Sequence, residues 1–105
     1  MIHFIKYDKL LLYRIKIGNR CEVKLKAGTQ RGSVKFIGET AFKEDVLWIG
    51  VQLDEPFGKN NGSVEGRVYF SCPNKYGVFA RPDTVEIGDF PEKDELDFSD
   101  SEDEI

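Results

Sequence analysis

The chain has 105 residues, 40% of them hydrophobic, and a formal net charge of −4 at neutral pH. This length suits one small domain and excludes two, and eight Phe with one Trp can furnish a compact core. The apolar run 10–17 is short and interrupted by charges. It is therefore neither a membrane span nor a signal peptide, and we expect no contact with membranes.

Charge divides the chain into a basic body and an acidic end. Residues 1–88 carry 14 Lys or Arg against 10 Asp or Glu, a net +4, whereas residues 89–105 carry one Lys against nine acids, a net −8. An acidic segment of this kind buries too little apolar surface to offset its ordering entropy. We therefore expect a disordered acidic tail over 89–105 and a leader or linker over 1–17, which shows no recognisable pattern.

The side chains that usually carry catalysis or bind metals are sparse. Cys21 and Cys72 are far apart and lack a CxxC spacing, so buried reduced thiols in a reducing intracellular compartment are predicted. His3, the only histidine, lies in the leader. A phosphate-binding glycine loop and a nucleophile–base set are both missing from the sequence, so we expect no enzyme, no metal and no cofactor.

Apolar and polar residues alternate with a period of two in three places, namely 20–25, 33–36 and 67–70. This alternation predicts half-buried β-strands. Turn signals separate the predicted strands at 26–32, 56–62 and 72–77. Short strands joined by glycine-rich turns predict an all-β protein, a small open barrel or a curled sheet.

The segment Gly58-Lys59-Asn60-Asn61-Gly62, called the signature loop below, places a cation and two amides between two glycines. Glycine permits positive φ and lets bare backbone approach a partner closely. The Lys and Asn side chains supply donors suited to a carboxylate. The alternative interpretation is a plain turn, because Asn-Gly is a strong hairpin signal.

The order of these segments resembles the CAP-Gly domain. The resembling segments are 18–23, 32–38 and 48–56, then the signature loop, then 66–72 and 77–81. The resemblance covers residues 18–87 and implies an SH3-like open barrel of short antiparallel strands, with a domain over 18–88. The family usually has Asp where this chain has Asn61, so the amide keeps the shape of the side chain and loses its charge.

CAP-Gly domains grip acidic-aromatic C-termini of the Glu-Glu-Tyr or Glu-Glu-Phe type, such as the C-terminal tail of α-tubulin. The residues that resemble the family's apolar slot are Phe42, Trp48 and Phe79, with Phe57 as a further wall. Those that resemble its carboxylate clamp are Lys59, Asn60 and Arg81, and Asn61 joins them as a peptide-binding candidate. For each aromatic residue the alternative is core packing, which we prefer for Phe36, Tyr69 and Phe70.

Segments 74–77 and 85–92 and the closing acidic run resemble the tubulin-folding members of the family. This resemblance implies a chaperone-like role in the cytoplasm, close to the cytoskeleton. There the module holds α-tubulin together with tubulin folding cofactor E, and a ubiquitin-like domain precedes it. The chain also ends in Asp103, Glu104 and Ile105, a weak imitation of the ligand, so the tail is a hypothetical competitor for the groove of its own domain.

Two other binding classes fit parts of the sequence. SH3-like barrels carry aromatic cages for methyl-lysine, and Phe42, Trp48, Tyr69 and Phe79 are candidates for such a cage. The basic body with its aromatic residues is also compatible with nucleic-acid binding. A cage would place acids beside the aromatic rings, whereas the resemblance places Lys59 and Arg81 there. We therefore expect a peptide as the partner and no nucleic acid.

Overall fold

The structure is a computed structural model that describes residues 14–92. The leader residues before 14 and the tail from 93 onwards lie outside the described residues, and so do His3 and the self-ligand candidates Asp103, Glu104 and Ile105. Between residues 14 and 92, no helix combines the length and the apolarity needed to cross a bilayer.

The regular elements of the described chain are seven β-strands and one short 3₁₀ helix. Its elements are β1 (Arg20–Leu25), β2 (Gly28–Gly38), β3 (Trp48–Leu53), β4 (Ser63–Val64), β5 (Arg67–Val68), β6 (Gly77–Ala80), the 3₁₀ helix Pro82–Thr84, and β7 (Val85–Ile87). Five strands form one antiparallel sheet in the order β6-β3-β2-β1-β7, and β4 pairs with β5 in a separate hairpin. The predicted all-β class is confirmed.

The core lies on one face of the sheet because apolar side chains alternate along its strands. Ile49, Val51 and Leu53 of β3 are buried, and Val78 and Val85 come from the two edge strands and join the same core. Side chains from opposite edges can share a core only if the sheet curls around it. Since β6 and β7 do not pair with each other, the barrel is open, as predicted.

A second cluster of side chains covers the other face of β3 and β6. The ring of Phe79 is central to it, with centroids 5.3 to 6.0 Å from those of Phe36, Phe42, Tyr69 and Phe70. We call these five rings and Trp48 the aromatic cluster. Gly50 is required beneath it, because a Cβ there would lie 2.6 Å from the ring of Phe70. Of the three residues for which we predicted core packing, Phe70 is buried in this cluster and not in the barrel interior, whereas Phe36 and Tyr69 are half-buried.

Two strand boundaries differ from the prediction. The first turn contains only Lys26 and Ala27 instead of 26–32, because Leu25 pairs with Gly28 and β2 begins there. The strand predicted over 66–72 is reduced to β5, and Val68 is 69% exposed. The alternation beyond Val68 has a different cause: the N–H groups of residues 69 and 70 bond to the carbonyl of Gly62, which directs Phe70 into the aromatic cluster.

Core packing begins before residue 18, the expected domain boundary. Ile15 is 3% exposed and belongs to the barrel core. The turn that follows is closed by the N–H of Lys16, which donates to Oδ1 of Asn19 at 2.8 Å. Residues 15–17, which we assigned to the leader, are therefore part of the folded unit.

The acidic segment also begins differently from the expectation. Nε of Arg20 donates to the carbonyl of Phe90 at 2.8 Å, and Nη1 of Arg31 donates to that of Pro91 at 3.1 Å. The guanidinium of Arg31 lies 5.4 Å from the centroid of the Phe90 ring. The interpretation of a disordered tail from residue 89 is therefore wrong for Phe90 and Pro91, because their carbonyls accept hydrogen bonds from two arginines and the Phe90 ring packs against the Arg31 guanidinium.

Arg20 also connects this docked segment to the barrel. Its guanidinium forms a bidentate ion pair with Asp54, with N–O distances of 2.9 and 2.6 Å. The hydrogen bond to Asp54 is the main cause that raises the pKa of Arg20. The neighbouring Cys21 is fully buried, and burial raises the pKa of its thiol to about 11. Burial is confirmed for Cys21, whereas Cys72 is only half-buried.

Candidate functional site

A groove of about 700 Å³ lies between the end of β1, strand β6 and the signature loop. It is lined by seven of the eight residues that were predicted to bind peptide, which are Phe42, Trp48, Phe57, Lys59, Asn60, Phe79 and Arg81. These residues come from four separate parts of the chain. Lys59 and Trp48, which the sequence could not place relative to each other, line the same concavity.

The floor of the groove is the exposed side of the aromatic cluster. The centroid of the Phe42 ring lies 5.5 Å from that of Trp48 and 5.3 Å from that of Phe79, and all three rings are half-buried. Phe57 stands at the rim and is 54% exposed. Nε1 of Trp48 is enclosed and has no acceptor among residues 14–92.

The rim of the groove is cationic. The guanidinium of Arg81 lies 5.5 Å from the centroid of the Trp48 ring, which keeps the charge beside the floor. Lys24 and Lys26, which the sequence analysis did not single out, also line the groove with Lys59. Among the residues that the structure describes, no Asp or Glu lines it. The groove therefore presents a positive field to its ligand.

The signature loop is fixed by backbone hydrogen bonds. The N–H groups of Lys59 and Asn60 donate to the carbonyl of Gly77 at 2.8 and 3.1 Å, and the N–H of Gly77 returns a bond of 2.8 Å to the carbonyl of Asn60. A Cβ at Gly58 would lie 2.5 Å from the Gly77 oxygen. Glycine is needed here for close approach to the chain's own backbone, whereas we expected close approach to a partner.

The two asparagines of the loop have different positions. Oδ1 of Asn60 accepts from the N–H of Gly62 at 2.9 Å, which leaves its Nδ2 as a donor at the groove. Asn61 does not line the groove, and its Oδ1 accepts from the N–H of Ser63 at 3.0 Å. An amide oxygen closes this turn as a carboxylate would, and a peptide contact by Asn61 stays a prediction.

Eight lining residues were not predicted, namely Lys24, Leu25, Lys26, Ala27, Val64, Val78, Ala80 and Thr84. Barrel curling brings Lys24 and Lys26 to the groove, and their signal in the sequence is that they flank Leu25 at the end of a predicted strand. No group of three or more His, Cys, Asp or Glu in the described part of the chain could hold a metal ion.

The family model of the CAP-Gly domain matches residues 17–85, and the chain belongs to that family. Its fold is shared with the CAP-Gly domain of the human kinesin-like protein KIF13B, with a TM-score of 0.63 and 31% identity over 84% of this chain and 81% of that one. It is also shared with the Bik1 CAP-Gly domain solved with an ETF peptide from Bim1, with a TM-score of 0.55 and 30% identity over 73% and 89% of the two chains.

The relatives by sequence include tubulin-folding proteins. The chain is 57% identical over 79 residues to tubulin-specific chaperone B of Caenorhabditis elegans and 51% identical over 88 residues to tubulin-folding cofactor B of Mus musculus. These alignments cover 74% and 83% of this chain, but only 34% and 36% of the relatives. The chain thus spans about a third of their length, and its resemblance to tubulin-folding members is confirmed.

The loop geometry predicts different costs for two glycine substitutions. Gly62 and Gly66 both have positive φ, +95° and +82°, but a Cβ at Gly62 would overlap the carbonyl of Phe70, whereas a Cβ at Gly66 meets nothing within 4 Å. Gly66→Ala should therefore cost roughly 1–2 kcal/mol of backbone strain. Gly62→Ala should cost at least about 3 kcal/mol in urea unfolding, because a clash is added. Equal costs would contradict the close packing of the loop.

Proposed function

We propose that the chain is a non-catalytic binding module for acidic polypeptide C-termini that end in an aromatic residue, and that the C-terminal tail of α-tubulin is its ligand. The observation that carries the proposal is the groove, which combines an aromatic floor with a rim of Lys24, Lys26, Lys59 and Arg81. An apolar slot with charge-assisted donors at its edge is the arrangement that suits such a terminus.

Each part of the ligand has a matching part of the groove. An aromatic terminal side chain packs against Phe42, Trp48 and Phe79, where ring contacts add to the buried area. The terminal carboxylate and the preceding acid accept from Lys59, Arg81 and Nδ2 of Asn60. In the described part of the chain, Lys59 and Arg81 have no carboxylate within ion-pair distance, so their charges are available to a ligand.

The relatives support this proposal in two ways. One CAP-Gly domain of the same fold was solved with a peptide bound, and the sequence relatives are named for tubulin folding. We therefore propose a place for this module in a tubulin-folding cofactor, where it holds α-tubulin. The contact with tubulin folding cofactor E, the competition from its own tail and the cytoplasmic location stay predictions.

The groove chemistry argues against a methyl-lysine reader. Its lining includes four cationic side chains, and among the described residues no carboxylate lines it to attract a second cation. The rings of Phe42, Tyr69 and Phe79 also pack edge to face on one another, with interplanar angles of 71° to 87°. They therefore do not form an open aromatic cage. A cationic peptide would meet repulsion in this groove.

A peptide titration tests the proposal. A peptide ending Glu-Glu-Tyr should bind, while removing its last residue or amidating its C-terminus should each weaken binding by about 1–3 kcal/mol, because an apolar anchor or a charge-assisted bond is lost. Isothermal titration calorimetry gives the three affinities. A methylated-lysine peptide and a single-stranded oligonucleotide are the controls, and tighter binding of either would overturn the proposal.

Lys59 should contribute to binding and hardly to stability. Lys59→Ala should weaken the Glu-Glu-Tyr peptide by on the order of 1–3 kcal/mol, through loss of a charge-assisted hydrogen bond. Its melting temperature should stay unchanged, since Lys59 is exposed and only its backbone holds the loop. Lys35→Ala, an exposed lysine of β2 that does not line the groove, is the matched control. Equal loss of affinity in both variants would show that Lys59 acts only through the net charge of the domain, which would contradict a direct hydrogen bond to the ligand.

A further inference from the structure

Lys24 and Lys26 extend the cationic rim to a part of the groove that is distant from the signature loop. Lys24 is the fifth residue of β1, and Lys26 lies in the two-residue turn between β1 and β2. Both side chains are exposed and line the groove. They flank Leu25, whose half-buried side chain packs against the core, so the strand directs both lysines away from the interior.

The strand pairing places Lys24 and Lys26 at one end of the groove and the signature loop, with Lys59, at the other. Asn60 forms a bridge with Gly77, so the signature loop lies at the start of β6. Val23 pairs with Val85 in the last pair of the β1–β7 ladder, so Lys24 comes next, where β1 contacts the 3₁₀ helix that follows β6. The chain is extended from Gly77 to Arg81. At about 3.3 Å per residue, Gly77 and Arg81 lie roughly 13 Å apart along the chain, which is the length of about four extended ligand residues.

The lysine charges at this end are not used by the domain itself. Glu22, two residues before Lys24 on the same strand, is held by Arg31 at 3.3 Å. Within residues 14–92, no carboxylate lies in ion-pair range of either lysine. The positive charges of Lys24 and Lys26 repel each other, and a bound acidic ligand would reduce this repulsion.

We propose that Lys24 and Lys26 form a second subsite that binds carboxylate side chains about four residues or more upstream of the ligand's C-terminus. This inference rests on the proposed function and narrows its ligand class. The domain selects tails with a longer run of acidic residues over tails with only the terminal acidic-aromatic group. The aromatic floor and the signature loop bind the C-terminal end of the tail, and the two lysines bind the acidic side chains upstream of that end.

Three peptides with the same Glu-Glu-Tyr ending test this subsite. They carry about four upstream residues that are all Gly or Ser, all Glu, or all Gln, to match the four-residue distance derived above. The Glu peptide should bind the wild-type domain about three- to tenfold more tightly than the Gln peptide, as expected for two exposed ion pairs. This difference should shrink as ionic strength rises, because exposed charges are screened.

The variant Lys24→Ala/Lys26→Ala should lose the difference between the Glu and Gln peptides, and it should weaken the Gly/Ser peptide no more than a variant that loses the same charge outside the groove. The matched control is Lys16→Ala/Lys35→Ala, which removes the same charge from exposed positions outside the groove and should keep the difference. Melting temperatures check that both variants fold.

The outcomes separate this inference from the proposed function. If the Gly/Ser peptide binds but the Glu and Gln peptides have equal affinity, the second subsite is overturned and the groove's main role stands. A difference that survives in the Lys24/Lys26 variant, or disappears equally in the control, also overturns the subsite. If none of the three peptides binds the wild type, both proposals fall.

Discussion

The backbone hydrogen bonds between the signature loop and Gly77 are the interaction on which the groove depends. They fix Lys59 and Asn60 beside the start of β6, next to the strand that carries Phe79. These bonds require close approach of two backbone segments. A Cβ at Gly58 would lie 2.5 Å from the carbonyl oxygen of Gly77, and a Cβ at Gly77 would lie 2.5 Å from Oδ1 of Asn60. The charged end of the groove is therefore preorganised relative to its aromatic floor, which lowers the ordering cost of binding.

The two faces of the sheet divide stability from recognition. The inward residues of β3 and β6 fill the barrel, while their outward neighbours Trp48 and Phe79 belong to the aromatic cluster. The period of two in a strand makes this division possible within a few residues. Because the cluster is packed by its own edge-to-face contacts, its exposed side remains available as a binding surface without exposing the barrel core.

Sequence patterns predicted the parts of the site that depend on local order. The signature loop and the residues Trp48, Phe79 and Arg81 could be recognised because their spacing along the chain resembles a family. Lys24 and Lys26 could not, since they reach the groove only when the sheet curls. Phe90 was assigned to a disordered tail on composition alone, although Arg20 and Arg31 hold the chain at that point. Composition averages over a segment and hides a single anchoring residue.

The most direct measurement is an NMR titration of the ¹⁵N-labelled domain with a peptide ending Glu-Glu-Tyr. The indole N–H of Trp48, the side-chain amide of Asn60 and the backbone amides of the signature loop should shift together and saturate with one affinity. Resonances around Arg20 and Asp54, on the side where Phe90 docks, should stay in place. Shifts centred on Arg20 and Asp54, with an unchanged Trp48 indole, would contradict the central claim that this groove is the binding site.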